Sequence, residues 1–98
     1  MDLQECTAAI RAKVGEDSGL NALLKFDCGS DGVVFVNALE VPNTVSNDNL
    51  DAGCTVTLAL ADLSALLSGE LNPVNGFMMG KLKVAGDMSV AMRLQKVV

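Results

Sequence analysis

Behind Asp2, the apolar residues Leu3, Cys6, Ile10 and Val14 recur every three or four positions, the spacing that lines one face of a helix. Asp2 suits the N-cap and Gly15 the stop, so the pattern predicts a first helix. The rhythm then changes. Residues 23–28 and 33–39 are strand-like runs joined by GSDG, the second rich in β-branched residues around Phe35, and together they read as an antiparallel hairpin. Pro42 breaks the run, and residues 44–47 fit a short edge strand. After the polar turn NDNLDAG, residues 54–60 (CTVTLAL) alternate Thr with apolar positions and read as another half-buried strand.

Helical spacing returns after that strand. Asp62 fits the cap of a segment in which Leu63, Leu66 and Leu67 share a face, and Gly69 its end. Asn72 followed by Pro73 opens a second short helix, because a first-turn proline lacks only an N–H that would have no partner, and Gly80 closes it. Residues 81–85 alternate Lys outward with Leu82 and Val84 inward, a last strand. Asp87 then caps a final helix carrying Met88, Ala91 and Met92 on one face, with Gln95 at its end. Helices before and after a block of strands, each apolar on one side, imply a single α+β domain over residues 1–98, one sheet covered by helices.

Composition sets limits on what this domain does. A chain of 98 residues has room for one core. Its apolar runs are a few residues long, against the roughly 20 needed to cross a bilayer. MDLQECTAAIRAKV lacks the basic-then-apolar order of a secretory signal and QKVV is no peroxisomal address, so a cytoplasmic location is expected. A net charge of −5 without Trp or Tyr argues against nucleic-acid binding, which needs basic faces and stacking rings. The charge is uneven, however. From Lys81 onward Lys81, Lys83, Arg93 and Lys96 stand against Asp87 alone, an excess suited to anionic lipid headgroups, although a solvated face on an acidic protein is the plainer reading.

Catalytic chemistry finds little support. With no histidine, the usual Ser/His and Cys/His pairs and His-containing metal sites are excluded, and no carboxylate pair stands out. Cys6, Cys28 and Cys54 are odd in number and far apart, which fits buried small hydrophobes better than a disulfide framework or zinc site. Gly76 to Leu82 has one residue too few for a phosphate loop and Leu where Ser or Thr must stand. Asn47 to Gly53 lacks the spacing and closing Glu of a calcium loop. No cofactor or metal is therefore expected.

What remains is apolar and adaptable. Phe77, Met78, Met79, Met88 and Met92 lie on short segments punctuated by Gly69, Gly80 and Gly86, and methionine fits irregular apolar shapes better than any other side chain. Spacing alone leaves ordinary core packing open. The run from Cys54 to Gln95, however, resembles the sterol carrier protein 2 family. The resemblance is densest at Gly69-x-Leu71-Asn72-Pro73, at Phe77-x-x-Gly80-Lys81-Leu82-Lys83, at Gly86-Asp87-Met88 and at Ala91-Met92-x-Leu94-Gln95. The first half is similar in element order only.

The resemblance implies a five-stranded sheet with a crossover after the third strand, in the order α-β-β-β-crossover-β-α-α-β-α, and an apolar tunnel between sheet and helices. It implies a non-enzymatic lipid-binding or lipid-transfer domain for a sterol, fatty acid, acyl-CoA or isoprenoid. Phe77, Met78, Leu82, Val84, Met88 and Met92 would line the tunnel with Leu63 and Leu67, and less directly Ile10 and Phe35. The C-terminal segment and targeting tripeptide of peroxisomal members have no counterpart, so a stand-alone bacterial-type module is the nearer analogy. Lys81, Lys83, Arg93 and Lys96 would serve for transient membrane docking. The rival readings are an accessory module presenting a lipid-like substrate, such as a quinone precursor or acyl-CoA, to a partner enzyme, and a homodimer joined through the apolar face.

Overall fold

Capping fixes the first element. Asp2 accepts a hydrogen bond from the Glu5 amide while the Glu5 carboxylate accepts one from the Asp2 amide, a reciprocal pair that opens helix α1, Leu3–Val14. Its apolar stripe buries Cys6, Ile10 and Val14. The structure, a computed structural model describing residues 1–98, places this helix against a single sheet. The strands are β1 (Leu23–Asp27), β2 (Val33–Asn37), β3 (Thr44–Ser46), β4 (Cys54–Thr57) and β5 (Lys83–Gly86), in the spatial order β3-β2-β1-β4-β5.

Every neighbouring pair is antiparallel except β1 and β4, which run parallel. A parallel neighbour cannot be reached by a tight hairpin, so the chain leaves the β3 edge and crosses back through residues 47–53 before entering β4. The register gives the sheet two unlike faces. Val45, Val36, Leu24 and Cys54 form one row across the strands, and Val34, Phe26, Val56 and Val84 the next, all turned toward the helices. Ser46, Phe35, Lys25, Thr55 and Ala85 form the alternate row on the opposite face. The crossover passes that face, where Lys25 donates to Asn49 at 2.9 Å.

Helices α2 (Leu60–Ser68), α3 (Pro73–Met78) and α4 (Met88–Met92), followed by a 3₁₀ turn at Leu94–Lys96, complete the order read from the sequence. Several boundaries differ from the expectation: β2 ends at Asn37 rather than residue 39, and β5 runs from Lys83 to Gly86 rather than over 81–85. The fourth strand ends at Thr57, and α2 begins at Leu60 with Ala59 at its N-cap, so Asp62 stands in the first turn and caps nothing. The reason lies in the backbone: the Asp62 and Leu63 amides both donate to the Ala59 carbonyl, and a carboxylate in the first turn still favours the helix through its dipole. The last helix is also shorter than expected, tightening into the 3₁₀ turn before Gln95.

Two glycines shape the part of the fold that carries α4. Gly86 adopts φ of 101°, and a Cβ there would lie 2.2 Å from the Gly53 carbonyl oxygen. The same oxygen accepts from the Asp87 amide at 2.8 Å, tying the start of α4 to the start of β4. Gly76, buried in α3, leaves room for Leu82, whose Cγ would stand 3.0 Å from a Cβ. Leu82 thus plugs the space beneath α3 just before β5 begins.

Gly86→Ala should cost at least about 2 kcal/mol in chemical denaturation, because backbone strain and a backbone clash coincide there. Gly80→Ala, at φ of 74° with open space around it, should cost about half as much. All three cysteines are free and buried, and burial raises each thiol pKa, that of Cys28 to about 11. A thiol reagent at pH 8 should therefore find no reactive cysteine in the folded protein and three after denaturation.

Candidate functional site

Two short helices facing each other create the site. Asn72 caps α3 by accepting from the Val74 amide at 2.9 Å, and Pro73 occupies the first helical position. This start fixes the face along which Val74 and Phe77 follow one turn apart. Asp87 caps α4 by accepting from the Ser89 amide at 2.9 Å and the Ser89 hydroxyl at 2.6 Å. Those bonds hold its carboxyl below the usual carboxylate range. Capping sets the turn on which Met88, Ala91 and Met92 share a face.

Between the helices lies a groove of about 430 Å³, within the size range of small-molecule sites. Pro73, Val74 and Phe77 of α3 form one wall. Met88, Ala91 and Met92 of α4, with Leu94 and Gln95 beyond it, form the other. No ionisable side chain lines it, and Gln95 is its sole hydrogen-bonding side chain. Its rim is apolar and wet: Val74 is 59 % exposed, Met88 57 % and Met92 83 %. Of nine exposed large apolar side chains in the protein, five fall within residues 74–92, a concentration that surface statistics alone do not explain.

A second hollow of about 350 Å³ adjoins the first, since Pro73 and Gln95 line both. It is more polar. Lys13 from the last turn of α1 and Asn72 face it, beside Leu66, Leu71 and Val98.

The expected site residues separate into groups. Phe77, Met88 and Met92 come together in the groove. Leu67 and Val84 are half-buried against the core and do not line the groove. Ile10, Leu63 and Leu82 are fully packed in the core and fill the layer between sheet and helices. Met78 points to solvent at 81 % exposure. Phe35 is on the wrong face: strand alternation that turns Val34 and Val36 toward the helices turns Phe35 away, next to Lys25 and Ser46. The wholly apolar run VVFV carried no alternation from which this could be read. Pro73, Val74, Ala91, Leu94 and Gln95 were not among the expected lining residues. Helical spacing from Phe77 and Met88 reaches Val74 and Ala91, so the signal was present.

The expected cationic surface is spread over several elements. Lys81 lies 3.9 Å from Asp62, and Arg93 donates to the Ser89 carbonyl at 3.2 Å. Lys83, on β5, is exposed and pairs in register with Thr57, while the Lys96 ammonium sits beside Gly19. No group of His, Cys, Asp or Glu is arranged to hold a metal ion, and no helix is long and apolar enough to cross a membrane.

Rabbit (Oryctolagus cuniculus) sterol carrier protein 2 is 45 % identical over 53 residues, which is 54 % of this chain but 10 % of the rabbit protein, so the chain spans about a tenth of that relative. The solution structure of sterol carrier protein domain 2 of Helicoverpa armigera superposes with a TM-score of 0.67 at 27 % identity, covering 93 % of this chain and 80 % of that one. The palmitated form of SCP2L2 from Aedes aegypti shares the fold, with a TM-score of 0.69 at 19 % identity and coverage of 99 % and 94 %. The model of the SCP-2 sterol transfer family matches residues 6–98, and the chain belongs to that family of lipid-binding and lipid-transfer domains.

Proposed function

We propose that this chain carries a single lipid-like guest in the groove between α3 and α4 and does no chemistry on it. The observation that carries the reading is an open apolar groove of about 430 Å³ lined by Phe77, Met88, Ala91 and Met92, with no nucleophile, acid or base among its walls. The existence of a palmitated form of the Aedes aegypti neighbour SCP2L2 supports an acyl chain as one such guest.

The energetics permit this without polar recognition. Each methylene removed from water contributes about 0.8 kcal/mol, so ten of them contribute roughly 8 kcal/mol before ordering costs. That corresponds to micromolar affinity with little discrimination among hydrocarbon shapes. The guest enters by spreading α3 from α4, with the unbranched methionines repacking around it. Gly69 and Gly80, which flank α3 at positive φ, supply the bending points, and half-buried Phe77, Leu67 and Val84 yield as the groove deepens toward a tunnel. Exposed Met78 and Met79 extend the apolar rim. Lys81, Lys83, Arg93 and Lys96 provide attraction to an anionic membrane during loading or delivery.

A C12 to C18 fatty acid at saturating concentration should raise the melting temperature by several degrees, as a ligand of the native state must. No shift with fatty acids, sterols or acyl-CoA would overturn the carrier reading. Met92→Asp should leave folding unchanged, because the side chain is 83 % exposed, yet weaken fatty-acid binding about tenfold by putting a charge into the groove. Anionic vesicles should accelerate lipid delivery relative to neutral ones, and replacing Lys81, Lys83, Arg93 and Lys96 with Gln should remove the difference; equal rates would eliminate the docking role.

A further inference from the structure

We infer that the two adjoining hollows form one bipartite site for a single-chain anionic amphiphile, its tail between α3 and α4 and its carboxylate or phosphate beside Lys13. This rests on the carrier reading and adds orientation and headgroup class to it. Pro73 and Gln95 line both hollows, so a guest lying past them reaches from an apolar trough into a polar one. The change of chemistry along that line is the signature of an amphiphile. The groove offers Gln95 as its only polar side chain, whereas the second hollow presents Lys13, Asn72 and Gln95 and has no Asp or Glu among its lining residues.

Lys13 is also available. Arg11 donates to the Val45 carbonyl at 2.8 Å, Lys25 to Asn49, and Arg93 to the Ser89 carbonyl, while Lys81 stands against Asp62. Lys13 has no carboxylate within 4 Å and is the one cation lining either hollow. The carboxamide oxygen of Asn72 is occupied as the cap of α3, which leaves its NH₂ group free to donate to an anionic head. On a protein of net charge −5, a negatively charged guest gains from a local cation that fixes which end enters the apolar groove.

Dodecanoate, dodecyl phosphate and dodecanol share one tail and differ in the head, and titration calorimetry below their micellar concentrations separates the contributions. The two anions should bind the intact protein about three- to fivefold tighter than the alcohol at low salt, the size of a partly exposed ion pair, with the gap narrowing at 0.5 M salt. Lys13→Gln should abolish the gap while leaving dodecanol affinity unchanged, and Lys13→Arg should restore it. A larger gap for the phosphate than for the carboxylate assigns the head to a phosphomonoester lipid, and the reverse assigns it to a fatty acid. If all three bind alike, or if Lys13→Gln weakens anion and alcohol equally, the headgroup site is overturned while the carrier survives. If none of the three binds, the anionic-amphiphile site is overturned, and the carrier reading is then decided by the sterol and acyl-CoA arms of the melting measurement.

Discussion

The contact of Gly86 with the Gly53 carbonyl is the constraint on which the site depends. It brings two backbones closer than any side chain would permit, with a would-be Cβ 2.2 Å from the carbonyl oxygen. At that point β5 ends, the Asp87 amide turns onto the same oxygen, and the Asp87 side chain begins α4. The turn therefore determines where Met88, Ala91 and Met92 stand relative to the core. Displacing it would move a wall of the groove without touching a single lining residue.

The opposite wall has an apolar support as well. Helix α3 rests on Leu82 through the missing side chain of Gly76, and it is bounded by Gly69 and Gly80 in the left-handed region. At six residues α3 is too short to be stable by itself, so its position follows from what lies beneath it. Backbone hydrogen bonds hold both walls, the Asp87 amide donating to the Gly53 carbonyl and the Lys81 and Leu82 amides to the Gly76 carbonyl, and α3 has the apolar support of Leu82 besides.

Much of the fold was legible in the sequence because local chemistry and tertiary structure agree. Asp2 with Glu5, Asn72 with Pro73, and Asp87 each announce a helix start that the structure has, and the alternation in CTVT marks β4. The resemblance to the sterol carrier protein 2 family supplied the crossover, which no local pattern encodes. The site was less legible. Ile10, Leu63 and Leu82 are as apolar as Phe77 and Met88, and hydrophobicity says that a side chain avoids water without saying whether it meets protein or ligand. Phe35 shows a second limit, since a strand apolar at every position reveals neither face. The start of α2 shows a third: a cap supplied by backbone geometry at Ala59 leaves no side-chain signature, and Asp62 took its place in the reading.

The openness of the groove has its own energetic logic. A closed, dry cavity of 430 Å³ would cost on the order of 10 kcal/mol at about 24 cal/mol per Å³, comparable with the whole stability of a small domain. Leaving the space open to solvent replaces that cavity term with the smaller one of wetting a few apolar side chains. Met88 and Met92 are suited to this compromise, being flexible enough to lie exposed on the surface and, in the proposed carrier, to repack around a guest. In the proposed carrier, binding would remove apolar surface of both protein and lipid from water, so side chains that look misplaced in the empty protein would supply part of the affinity of the filled one.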